Sequence, residues 1–96
     1  MKYYFVANIR IDDPEEYEKY LEKFDDIFSK HKGEFMVIDE NPELLEGTWD
    51  NTKIVIISFN SRKDFSDWYF SDDYQSILKH RLKAARCNTI LAEGVG

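Results

Sequence analysis

Arg81 is the residue whose type and position most constrain the chemistry open to this 96-residue chain. Across the helical stretch 72–86, Tyr74, Ile77, Leu78 and Ala85 mark an inner face, and Arg81, at i+7 from Tyr74, falls near its centre. A guanidinium does not lose its proton, and a buried one left alone costs on the order of 3–5 kcal/mol. It must meet a carboxylate, backbone carbonyls or an anionic ligand. Two outcomes stay open: a structural pair, for example with Glu46 or a helix C-terminus, and an anchor for a planar anion. His31 stands at i+14 from Tyr17, which puts it on the inner face of a first helix at its C-terminal end. There it either caps the last carbonyls or transfers protons. Asn8 shares one face of a first strand with Tyr4, Val6 and Arg10, and reads as a satisfied amide or as an orienting one. Tyr20, Trp49, Trp68, Tyr69 and Tyr74 would wall an aromatic pocket or simply fill a core. Together these residues suit a small aromatic or carboxylate-bearing metabolite. If the chain is an enzyme, cofactor-free proton transfer or oxygenation is the expected chemistry. His31 would be the acid/base, Arg81 the anion anchor and Asn8 the orienting amide.

Other chemistries find less support. Two histidines in different elements lack metal-ligand spacing, so no metal and no cofactor is expected. Cys87 is the lone cysteine, which excludes an internal disulfide and suits packing where the last helix meets the last strand. A formal charge of −6 argues against nucleic acid or an anionic membrane as the main partner. No apolar run is long enough to span a bilayer, and the start reads directly into a strand rather than a signal peptide. The cytoplasm is the expected compartment.

These side chains need elements to place them. Residues 3–11 form a strand, with Tyr3, Phe5, Ala7, Ile9 and Ile11 on the apolar face that should lie under helices. Asp13-Pro14-Glu15-Glu16 opens a helix with a capping residue, a proline at the first position and two glutamates against the dipole. Tyr17, Tyr20, Leu21, Phe24, Ile27 and Phe28 give its buried stripe. It should end at Lys30-His31-Lys32, with Gly33 as a left-handed stop. Residues 34–39 make a second strand, 40–52 an irregular connection, and 53–59 a third strand. Ser61 caps a helix running through Tyr69 or Phe70, and Ser71 recaps the chain for a second piece from Asp72 to Arg86. Residues 88–93 are the last strand.

The order β-α-β-β-α-β makes a single α+β domain over residues 1–96, a four-stranded antiparallel sheet with the first and third strands central. Two helices cover only one face of that sheet, so a second copy is expected on the open one, with a cavity between the two sheets. RNA-recognition domains share this order. However, KIVIISF lacks the glycine and paired rings that such domains carry on the third strand.

Asp13-Pro14-x-x-Tyr17-x-x-Tyr20, Leu45-Glu46-Gly47-x-Trp49, Phe59-x-Ser61, Trp68-Tyr69-x-Ser71-x-x-Tyr74-Gln75 and Arg81 occur in that order along nearly the whole chain. This set resembles the bacterial family known as domain of unknown function 1330 (DUF1330). Lys32, Asn60 and Asp72 depart from its usual residues, at turns and a helix start. The resemblance implies a ferredoxin-like fold of the dimeric α/β-barrel superfamily, whose members range from small monooxygenases and haem-degrading enzymes to proteins without known activity. Asn8, Trp68 and His80 supply the residue types of the haem-degrading members in order, but the Trp–His separation is not theirs. The alternative to a metabolite-binding protein is a non-catalytic dimerisation, regulatory or stress-linked domain.

Overall fold

The alternation read along residues 3–11 governs the sheet. In the computed structural model, which describes residues 1–96, β1 (Tyr3–Ile11) buries Phe5, Ala7 and Ile9 to 5%, 2% and 3% exposure. The chain continues through α1 (Pro14–Phe28), β2 (Gly33–Asp39), β3 (Lys53–Phe59), α2 (Arg62–Tyr69), α3 (Asp72–Ala84) and β4 (Ala85–Glu93). All strand pairs are antiparallel, in the order β2-β3-β1-β4, so β1 and β3 are central as their apolarity requires. The sheet is open, with β2 and β4 as its edges. A single copy therefore forms no barrel.

Register carries the inner face of β1 across the sheet. Phe5, Ala7 and Ile9 pair with Ile57, Val55 and Lys53 on β3, and with Leu91, Thr89 and Cys87 on β4. Directly paired residues share a face, so one side carries this set and the other carries Tyr4, Val6, Asn8, Ile54, Ile56 and Ile90. The inner side meets an aromatic core in which Trp68 and Tyr74 are wholly buried, their ring centres 4.4 Å apart. All three helices lie on that side, and the molecule is only 15 Å along its shortest axis. No helix covers the other face, where the 42–49 connection meets Ile54.

Caps follow the expected chemistry. Asp13 Oδ1 accepts from Glu16 N at 3.2 Å, and Ser61 Oγ from Asp64 N at 3.0 Å. Ser71 Oγ accepts from Tyr74 N and donates to the Trp68 carbonyl, which breaks the second helical region into α2 and α3. Three boundaries differ from expectation. α1 stops at Phe28 rather than at Lys30-His31-Lys32, because the Lys30 and His31 amides turn back onto the Ile27 and Phe28 carbonyls. Gly33 is not a left-handed stop, since its φ is not positive; it opens β2. A Cβ there would lie 2.5 Å from Phe28 Cζ and 2.7 Å from Phe59 Cε1, so glycine is required for close packing. α3 ends at Ala84 and β4 begins at Ala85, earlier than residue 88. The nine-residue β1 pairs as far as Ile11 with Ala85 and draws the segment into the sheet.

Candidate functional site

A cavity of about 240 Å3 lies between α1 and the inner face of the sheet. Ala7, Ile9, Val55 and Ile57 floor it, while Tyr17, Tyr20 and Phe24 of α1 roof it. Its exposed lining residues are Leu21 and Asp25 on α1 and Phe35 and Ile38 on β2, so it opens between that helix and the edge strand. The position departs from the expected chamber between two sheets. It arises because α1 packs chiefly on α3 and stands off the β2 side of the sheet.

Arg81 lines this cavity at 2% exposure. No carboxylate lies within ion-pair distance of it, and its buried Nη1 has no hydrogen-bond partner. The expected structural pair with Glu46 does not form, since Glu46 is exposed on the 40–52 connection. What Arg81 has instead are uncharged neighbours: the Tyr74 hydroxyl, the Cys87 thiol and the Tyr20 ring, whose centre is 5.8 Å from Cζ. Such a contact contributes about 0.5–2 kcal/mol, less than the several kcal/mol that a buried lone charge costs. The guanidinium is thus left short of a partner inside its own chain.

Three phenols stand near it. Tyr20 and Tyr74 share a hydrogen bond of 2.7 Å between their hydroxyls. Burial pushes the Tyr17, Tyr20 and Tyr74 phenols up, against the opposing pull of Arg81, so all three are neutral at physiological pH.

Lys53, not singled out from the sequence, is a second buried cation in the wall, 7% exposed. Its Nζ sits 4.8 Å from the centre of the Tyr17 ring, and burial pushes the amine below its ordinary value. Strand parity was a usable signal. In KIVIISF, Lys53 shares its face with Val55, Ile57 and Phe59, the buried one.

The residues proposed from sequence separate into groups. Arg81, Tyr20 and Trp68 line the cavity, and Tyr74 stands behind it through its bond to Tyr20. Tyr69 stacks on Phe65, 5.3 Å between centres, and is not in the lining. Trp49 lies with Ile54 in a separate depression formed by the 42–49 connection. Asn8 faces the uncovered side of the sheet, away from Arg81. His31, beyond the end of α1, occupies the turn before β2 and does not reach the cavity. The three residues expected to act together are therefore not assembled around one space. His80 binds Glu16 instead, Nδ1 to Oε2 at 2.6 Å, joining α3 to α1; with Asn8 on the far face, the haem-type trio is also dispersed.

Fold and site define a ferredoxin-like α+β protein with a cation-bearing, ring-lined cavity beneath its first helix. The chain belongs to the family described as domain of unknown function (DUF1330), whose model matches residues 2–95. No curated protein matches it. Among solved structures it is similar to a protein of unknown function from Rhodopseudomonas palustris, RPA0582, at 17% identity and a TM-score of 0.80, covering 99% of this chain and 83% of that one. It is similar at 10% identity and a TM-score of 0.79 to a dimeric ferredoxin-like protein of unknown function from Jannaschia sp. CCS1, covering 98% and 100%. It is also similar to SnoaB, a cofactor-independent oxygenase from Streptomyces nogalater, at 16% identity and a TM-score of 0.69, covering 99% and 94%. At these identities the likeness is one of fold.

Proposed function

We propose that this protein binds a small organic acid with an apolar body, such as a single aromatic ring, in the cavity beneath α1. Arg81 is its anchor. The observation that carries this reading is the guanidinium itself, 2% exposed and unpaired in the wall of a largely apolar space. A planar carboxylate offers that group two acceptor oxygens. The cavity, about 240 Å3, falls below the roughly 300–1,000 Å3 that holds drug-sized ligands, which favours a one-ring or short-chain metabolite.

A homodimer accompanies this reading. The uncovered sheet face carries Tyr4, Val6, Ile54, Ile56 and Ile90, and the buried Asn8 Oδ1 on it has no partner within the chain. A second copy would cover those apolar groups, as the description of the Jannaschia neighbour as dimeric suggests.

A second reading, cofactor-free oxygenation of the bound acid, is favoured by the likeness to SnoaB. It would use Arg81 to hold the substrate. Neither His31, the expected acid/base, nor Asn8, the expected orienting amide, lines the cavity, which favours binding over catalysis.

Calorimetric titration of benzoate and its neutral methyl ester into wild type and Arg81→Met tests the proposal. Benzoate should bind wild type and lose about tenfold or more in the variant, the worth of a charge-assisted hydrogen bond, while the ester binds neither well. Equal affinities for wild type and Arg81→Met would remove Arg81 from the site.

A further inference from the structure

We infer that the ligand of this cavity carries two acidic groups, one held by Arg81 and the other by Lys53. The inference rests on the acid-binding reading above and narrows its substrate class to short diacids with an apolar spacer. Lys53 has the same deficit as Arg81: it is 7% exposed, lines the cavity and forms no ion pair. Glu40 is the carboxylate whose field reaches it, yet the two make no salt bridge. The cation–π contact with Tyr17 leaves its charge uncompensated. Asp25, the sole acidic residue in the lining, is exposed at the mouth.

The two cations enter the cavity from different elements, Lys53 from β3 and Arg81 from α3. Lys53 and Cys87 flank Ile9 on neighbouring strands of the same face, and Arg81 lies beside the Cys87 thiol. Two strand spacings put Lys53 and Cys87 about 10 Å apart at the backbone. A molecule with an acid at each end of a ring or short chain supplies one negative charge to each cation. A monoacid supplies one negative charge to two positive ones.

The test compares benzoate with the three benzenedicarboxylate isomers by calorimetry on wild type, Lys53→Met and Lys53→Arg. At least one diacid should bind wild type about tenfold or more tightly than benzoate, the gain of a second charge-assisted contact. Lys53→Met should erase that preference, so that diacids and benzoate bind the variant with similar affinity. Circular dichroism and urea unfolding report that the variant is folded. Lys53→Arg, which keeps the charge, should retain a preference for a diacid. Diacids no tighter than benzoate in wild type, or a preference that survives in Lys53→Met, would overturn the second anchor and leave the first standing. Failure of wild type to bind any of these acids would overturn the acid-binding reading, and the second anchor with it.

Discussion

A buried arginine normally argues for a structural partner, and removing one member of a buried pair costs about 3–5 kcal/mol. Arg81 has no such member to strand. Its close compensation carries no charge: the Tyr20 ring, worth about 0.5–2 kcal/mol, with the Tyr74 hydroxyl and the Cys87 thiol. Methionine is shorter but unbranched and adaptable, and carries no charge to desolvate. Arg81→Met should therefore unfold at a denaturant midpoint equal to or above that of wild type, in the same preparation that has lost acid binding. A loss on the order of 3 kcal/mol or more in urea unfolding would show that Arg81 is a structural residue. Binding and stability are thus set against each other at one position, which is common where a protein keeps a charged group for a ligand.

At the scale of elements, ion pairs fasten the ends of the helices to each other and to the sheet. Arg86 of β4 donates to Asp12, just before α1, at 3.0 Å, and this hydrogen bond holds the Asp12 carboxyl below its ordinary value. Glu16 of α1 meets His80 of α3 and accepts from Lys19; the bond to His80, then that to Lys19, lowers its carboxyl in the same way. Both carboxyls are depressed in the folded state, so the unfolded chain binds protons first as pH falls. Their stabilisation is complete above the ordinary carboxylate range and disappears as pH drops through the lowered values. Urea midpoints should hold steady from pH 7 to about 5 and fall between about 5 and 3. A midpoint that rises in that acid window would sink this account of the α1–α3 and α1–β4 junctions.

At the scale of the whole molecule, one layer of helices on one side of an open sheet leaves a broad face in water. Ile90 on that face is 60% exposed in the single chain. A long open sheet with apolar side chains invites pairing with another copy, and the proposed homodimer would use that face. Wild type should sediment as a dimer at micromolar concentration, and Ile90→Lys as a folded monomer. The cavity beneath α1 lies on the opposite side, so the monomer should still bind benzoate. Wild type sedimenting as a monomer would remove the dimer without touching the site.

Local periodicity and capping made much of this protein readable from its residues. Strand alternation sorted Phe5, Ala7 and Ile9 from Asn8, helical spacing put Arg81 inside, and Ser71 marked the break between α2 and α3. Each depends on neighbours a few positions away, where chain geometry leaves few choices. His31 shows where that logic fails. A face extrapolated fourteen residues from Tyr17 holds only while the helix continues, and α1 ends at Phe28, where the ring of Phe28 packs against Phe35 of β2 at 4.9 Å. Only the tertiary structure decided that the cavity lies beneath α1, that Lys53 shares it, and that no carboxylate forms an ion pair with either cation. Those facts depend on how far a helix stands from a sheet and on which distant charges arrive beside each other, and no spacing along the chain encodes either.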